Sequence, residues 1–222
     1  MKPRVTIATA TSPDGTELQL VEHDGDYVIN ADGIPLMSTR LHFSEEELAR
    51  LVCEHLPRRA CVLIGGLGCG YTLRTALSHL TEDGKAVQAE LVPEVVEWNR
   101  GPLAGFADHP LDDPRVELVI DDVANVLKSR PRTFDAIMLD VDNGPSAIID
   151  EKNAWLYSDA GLYTIRQALK ADGRLAIWAA VDDDRAFPAR LRNHGFEDEK
   201  HLIRPRKGKG GFRHVIYVGR LR

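Results

Sequence analysis

The chain has 222 residues, with 28 Lys and Arg against 34 Asp and Glu, for a formal charge of -6. At ~100–200 residues per domain, this length accommodates one domain, or one with a small appendage. Apolar residues make up 43% of the chain, which excludes a disordered or fibrous polypeptide, and the mild acidity argues against a general nucleic-acid binder.

Cys53, Cys61 and Cys69 form an odd, widely spaced set, read as free thiols in a reducing compartment. No Cys-x-x-Cys pair or Cys/His cluster supports a metal site. The segment MKPRVTIATATSPDG holds no apolar run of signal-peptide length, and no run approaches the ~20 residues of a membrane span. The expectation is a cytoplasmic protein with no membrane partner.

In chain order, residues 5–37 read as a small β region. VTIATA, TELQLV and DYVINA are strand-like and are separated by Ser-Pro-Asp-Gly and His-Asp-Gly turns. A helix follows in FSEEELARLVCEHL, with Ser44 as its cap, Glu47 completing a capping box, and Leu48, Leu51 and Val52 as the apolar stripe. From residue 60 onward, ACVLIG, KAVQAE, RVELVI, FDAIMLD and GRLAIWAA alternate with helical segments. That alternation predicts a doubly wound α/β fold with a mostly parallel sheet covered on both faces. FEDEKHLIRP and FRHVIYVGRL add a C-terminal antiparallel hairpin. The predicted division is a small β region over 1–42 and an α/β domain over 43–222.

The strongest local signal is CVLIGGLGCGYTLRTAL. Gly65, Gly66, Gly68 and Gly70 stand where a strand turns into a helix, the place where glycine lets backbone approach a nucleotide closely. The next strand ends at Glu90, 22 residues after Gly68, a position suited to a ribose diol. Neither the dinucleotide spacing Gly-x-Gly-x-x-Gly nor a triphosphate-binding loop is present. Gly-x-Gly-x-Gly is instead the loop form of S-adenosylmethionine enzymes. Asp121 and Asp122 end a further strand, and Asp140 another, with Asp142 just beyond. Such strand ends gather at one cleft in an open α/β sheet, and an acidic cleft suits a sulfonium donor and an amine acceptor. Asp121 also reads as a helix cap.

Together, LIGGLGCGYTLRTAL, the strand ending in Glu90, VELVIDDVANVL, FDAIMLDVDNGP and LYSDAGLYTIRQALKADGRLAIW resemble spermidine synthases and their relatives. These belong to the wider Rossmann-like methyltransferase fold. The resemblance implies that Gly66, Gly68 and Gly70 lie against the donor, Glu90 meets its ribose and Asp122 its adenine. Asp140 matches the first acid of the family's Asp-x-x-Asp-Pro segment, facing the donor and the reacting amine, and Asp142 stands for the second at a spacing shortened from three to two. Three departures accompany the match. Gly68 occupies the position of the Asp in the family's Gly-Gly-Gly-Asp-Gly loop, and Leu36 that of an upstream Gln. The family's Tyr-His-Glu aligns with Glu45-Glu46-Glu47, where only Glu47 survives as a substrate contact.

The implied activity is therefore alkylation of a small, amine-bearing acceptor by S-adenosylmethionine or its decarboxylated derivative, without a metal. Methyl transfer ranks ahead of aminopropyl transfer, because the residues matching the decarboxylated donor are missing. A non-catalytic nucleoside-binding or scaffold protein is the alternative from another class. Trp155 and Tyr157, following the Asp140 loop, are candidate lid and substrate contacts, whereas Trp178 reads as core. The basic run Arg204, Arg206, Lys207, Lys209 and Arg213 reads as a soluble hairpin loop in preference to an RNA site. A homodimer is expected from the family.

Overall fold

Asp-Gly turns build the first layer. The computed structural model describes residues 3–141, 153–180, 184–204 and 214–222. Strands β1 (Val5–Thr11), β2 (Glu17–His23), β3 (Asp26–Ala31) and β4 (Ile34–Ser38) form an antiparallel sheet in chain order. The β2–β3 and β3–β4 turns carry Asp24-Gly25 and Asp32-Gly33, with φ of 56° and 85° in the first and 47° and 77° in the second. Two consecutive positive φ values define the hairpin turn that matches strand twist. β4 is an addition to the three strands that the sequence suggests, and Asp32-Gly33 is the signal that announces it.

The second layer is a seven-stranded sheet. Its strands are β5 (Cys61–Gly65), β6 (Lys85–Glu90), β7 (Val116–Ile120), β8 (Phe134–Leu139), β9 (Leu169–Ala179), β10 (Phe196–Ile203) and β11 (His214–Leu221). From one edge to the other they run β10-β11-β9-β8-β5-β6-β7. Pairings from β7 to β9 are parallel, while β11 lies antiparallel to both β9 and β10. The predicted mostly parallel sheet and terminal hairpin are thus both present. Chain order reverses between β5 and β8: β5 leads on to β6 on one side, while β8 enters on the other. At such a switch the connections diverge and leave a crevice beyond the strand ends.

Helices cover both faces. The face carrying Val62, Ile64 and Met138 packs on α1 (Phe43–Cys53), α2 (Tyr71–His79) and α3 (Pro93–Arg100). Leu20 and Ile29 of the antiparallel sheet join that same core. The opposite face, with Leu63 and Ile137, packs on α4 (Val123–Ser129), α5 (Asp159–Ala168) and α6 (Phe187–Asn193). Burial on both faces explains why β5 and β8 read as continuous apolar runs instead of alternating ones. Among the described residues, no helix is long and apolar enough to cross a membrane.

Two local expectations change. The capping box at α1 does not form: the helix begins at Phe43, His42 precedes it without a side-chain cap, and the Ser44 hydroxyl donates to Glu45 at 2.6 Å. At α4 the cap is Asp122, not Asp121. Its carboxylate accepts from the Ala124 N–H at 2.8 Å, while Asp121 takes the Asn125 amide at 2.9 Å.

Leu63 is completely buried in the middle of the sheet. Leu63→Ala should lower unfolding stability by about 2–5 kcal/mol, measured as a shift in the urea midpoint at unchanged slope.

Candidate active site

The glycine loop between β5 and α2 is pressed against the end of β8. Gly66 has φ 85°, and a Cβ there would collide with the Asp140 carbonyl oxygen. The Asp140 N–H in turn donates to the Gly65 carbonyl at 2.9 Å. Gly70 also takes a positive φ, 85°, as the residue preceding α2. These positions need glycine for conformation and for space, whatever ligand the loop holds.

Two buried side chains fix the loop. Glu90, at the end of β6, accepts from the Leu67 N–H at 2.8 Å and from the Val92 N–H at 2.9 Å. Burial pushes its pKa upward, opposed by these backbone hydrogen bonds. The Leu67 bond clamps the glycine loop and the Val92 bond the start of α3; since each carboxylate oxygen accepts two hydrogen bonds, Glu90 keeps acceptor capacity beyond these. Asn99 of α3 donates from Nδ2 to the Gly68 carbonyl at 2.7 Å. No motif signals Asn99 in the sequence.

Asp140 follows β8 and faces α2 and α1. The Thr72 hydroxyl donates to its Oδ2 at 3.1 Å. Desolvation raises the Asp140 carboxyl to about 6, against the lowering effect of that bond. Glu45, on the first turn of α1, stands near enough for Asp140 to raise its pKa. Burial is the larger cause, and together they bring Glu45 to about 8.

A cleft of about 370 Å³ opens beside Glu45, between the antiparallel sheet and the ends of β9 and β11. Leu36, Met37, Arg40, Glu45, Trp178 and His214 are among its walls. Met37 reaches across to the glycine loop, where a Cβ on Gly68 would run into its sulfur. Tyr71 ties the two layers together by donating its hydroxyl to the Thr39 carbonyl at 2.9 Å.

The structure redistributes several predicted residues. Glu47 does not line the cleft: it is held by the Arg50 guanidinium at 2.7 Å and 2.8 Å. Glu46 pairs with Arg74, so Glu45 alone of the three carries its acid into the cleft. Trp155 and Tyr157 lie on the other side of the sheet. Tyr157 is 3% exposed and packs edge-on against Phe187, while Trp155 lies under the Lys128 ammonium at 4.6 Å. They belong to the core between α4 and α6 and do not form a lid. Trp178 packs against the core as expected and also borders the cleft, and its indole N–H is buried without a hydrogen-bond partner among the described residues. Asp121 and Asp122 are exposed at the end of β7. Asp142 and the basic positions Arg206, Lys207, Lys209 and Arg213 lie outside the described residues.

A glycine loop at the switch in strand order, with acids on the neighbouring strand ends, stands where open α/β sheets gather their ligand-binding groups. The Spermine/spermidine synthase domain model matches residues 41–180, more than half of the chain. The chain belongs to that family. It is 34% identical over 128 residues to polyamine aminopropyltransferase 1 of Hyperthermus butylicus, covering 55% of this chain and 41% of that protein. Against the polyamine aminopropyltransferase of Bacillus subtilis it is 28% identical over 208 residues, covering 91% of this chain and 70% of that one. The spermidine synthase structure from Thermotoga maritima superposes with a TM-score of 0.75 at 25% identity, over 97% of this chain and 72% of that one. Alignments to several curated relatives span only 27% to 57% of those proteins' length.

Gly66→Ala should cost at least ~1 kcal/mol, because it combines positive φ with a backbone collision. Gly105→Ala meets no atom within 4 Å and should leave stability unchanged. Parallel denaturant titrations of the two variants check the contrast.

Proposed function

We propose that the chain is an aminopropyltransferase of the spermidine synthase type, moving the aminopropyl group of decarboxylated S-adenosylmethionine to an amine. The observation that carries this reading is the placement of Asp140. It sits at the strand switch, beside the glycine loop and within the family-matched segment, next to a cleft able to admit a second substrate. The relatives' names favour aminopropyl over methyl transfer and so reverse the order drawn from the missing acceptor-side residues.

In this reading Gly66, Gly68 and Gly70 let the donor's nucleoside approach the backbone. Glu90 offers its remaining acceptor capacity to the ribose hydroxyls, and Asp122, at the rim, reaches the adenine amino group. Transfer is a displacement at the carbon next to the sulfonium. The amine lone pair forms the C–N bond as the C–S bond breaks, and the bonding pair leaves on sulfur as a neutral thioether. An alkylammonium must first lose a proton, and Asp140 is placed to take it. A base raised to about 6 is mostly ionised at neutral pH, yet it is a better proton acceptor than an ordinary aspartate.

Methyl transfer remains the second reading for one reason. Leu36 and Gly68 stand where the family has a Gln and an Asp, with Met37 against Gly68, so neither position supplies a polar side chain for an aminopropyl amine.

A thermal-shift panel separates the two. A ligand at ~100 times its Kd stabilises by about 2.7 kcal/mol, a rise of roughly 5–10 °C for a chain of this size. The decarboxylated donor should give the larger rise, and a preference for S-adenosylmethionine would restore methyl transfer.

The acid limb is a second test. Because the ionised form of Asp140 acts, kcat/KM should fall as pH drops through about 6. Asp140→Asn should lower kcat/KM at neutral pH by roughly 100-fold or more, with the donor's thermal shift retained.

A further inference from the structure

The cleft beside the glycine loop carries as many guanidiniums as carboxyls: Arg4 and Arg40 against Asp26 and Glu45. At about 370 Å³ it has the size of a small-molecule site, for which ~300–1,000 Å³ is usual. Its charges are sorted by wall. Arg4, Arg40 and Asp26 belong to the antiparallel sheet and its flanking residues, whereas Glu45 belongs to α1.

On the sheet wall, His23 of β2 pairs with Asp26 of β3, and the pairing of Val5 with Glu22 puts Arg4 next in line beside His23. Arg40 stands 3.9 Å from Asp26, with side chains 68% and 39% exposed. That pair is loose, but its two charges offset each other. Arg4 makes no ion pair among the described residues, so this wall keeps one uncompensated guanidinium. On the helix wall, Arg74 and Arg50 hold Glu46 and Glu47, which leaves Glu45 as the carboxyl of the cleft. The Thr72 hydroxyl donates to Asp140 Oδ2 at 3.1 Å and lies 3.4 Å from the Glu45 main-chain carbonyl. The first turn of α1 is therefore the side of the cleft next to Asp140.

The main sheet contributes Trp178 and His214, whose rings lie 4.9 Å apart. The Trp178 N–H is buried without a hydrogen-bond partner among the described residues. An indole N–H can only donate, and an ammonium has no lone pair to receive it. A diamine would satisfy Asp140 with one ammonium and bring the other against a wall that is already positive. An acceptor with an anionic far end meets both the spare guanidinium and the spare donor.

Resting on the amine-transfer reading above, we propose that the acceptor is an amino carboxylate, a small molecule whose amine faces Asp140 while its carboxylate is held by Arg4 and Arg40. One uncompensated positive charge matches a monoanion, and the two oxygens of a carboxylate fit the fork of a guanidinium. The step balances with the carboxylate unchanged. The acceptor ammonium gives a proton to Asp140, the amine lone pair forms the C–N bond, and the C–S pair departs on sulfur. The products are the thioether nucleoside and an N-aminopropyl amino carboxylate, and Asp140 returns its proton to solvent.

The test takes the full chain, saturating decarboxylated S-adenosylmethionine, and matched pairs of acceptors. Each pair is an ω-amino carboxylate and the diamine of equal chain length, such as 4-aminobutanoate and 1,4-diaminobutane. At the best length, kcat/KM for the amino carboxylate should exceed that of its diamine by roughly tenfold or more. A ratio of one or below at every length overturns the proposal.

Two exposed charges then move the ratio in opposite directions. Arg4→Glu should raise the KM of the amino carboxylate and lower that of the diamine, shifting preference toward the diamine. Asp26→Asn frees Arg40 and should widen the preference for the amino carboxylate. Both variants should melt close to the unmodified protein, because neither side chain is buried. A ratio unmoved by Arg4→Glu, or moved the same way by both substitutions, overturns the proposal.

Calorimetry in the presence of methylthioadenosine reads the same preference without turnover. The amino carboxylate should bind more tightly than its diamine, and its affinity should fall as salt rises. Equal or weaker binding overturns the proposal. Absence of turnover with every amine defeats the amine-transfer reading instead, and the binding comparison still decides what the cleft accepts. Turnover with S-adenosylmethionine in place of its decarboxylated form, at the same acceptor preference, defeats only the aminopropyl reading.

Discussion

The close approach of the β5–α2 glycine loop to the end of β8 is the constraint on which the site depends. Asp140 donates its N–H to the Gly65 carbonyl, and it can bring its own carbonyl against Gly66 only because Gly66 carries no side chain. The contact lies at the strand switch. It sets the acid that follows β8 beside the loop that would hold a nucleoside. Glu90 and Asn99 then tie the loop down by its own backbone groups, so its shape is present before any ligand arrives. A preformed loop spares binding the cost of ordering it.

The antiparallel sheet supplies the other half of the enclosure. It shares a core with α1 and the first face of the main sheet, and Tyr71 bonds to the turn that follows β4. Met37 is carried by that sheet onto Gly68, and Leu36 and Arg40 are carried onto the cleft wall. The glycine loop and the cleft wall facing it are therefore built from different layers.

Electrostatics follows from the same enclosure. Burial raises Glu90, Asp140 and Glu45 alike, but their partners differ. Glu90 meets backbone N–H groups and serves the loop. Asp140 meets one hydroxyl, that of Thr72. Glu45 feels the charge of Asp140 in addition to its own desolvation. Three carboxyls raised by burial thus sit in three different surroundings.

The sequence by itself determined the layer order, the strand and helix alternation, the glycine loop and the acids at the strand ends. These rest on local periodicity and turn chemistry, which a short window of residues contains. Tertiary structure decided which of three consecutive glutamates enters the cleft. Residues two apart on a helix point about 200° apart, so Glu45 and Glu47 face opposite ways, and only the packing of α1 on α2 and the sheet selects between them. The same holds for Trp178, whose neighbours Ile177 and Ala179 are buried while its own ring borders the cleft. Trp155 and Tyr157 are drawn into the far core by Lys128 and Phe187. An apolar pattern specifies that a side chain leaves water, but the destination is set by partners far away in the chain.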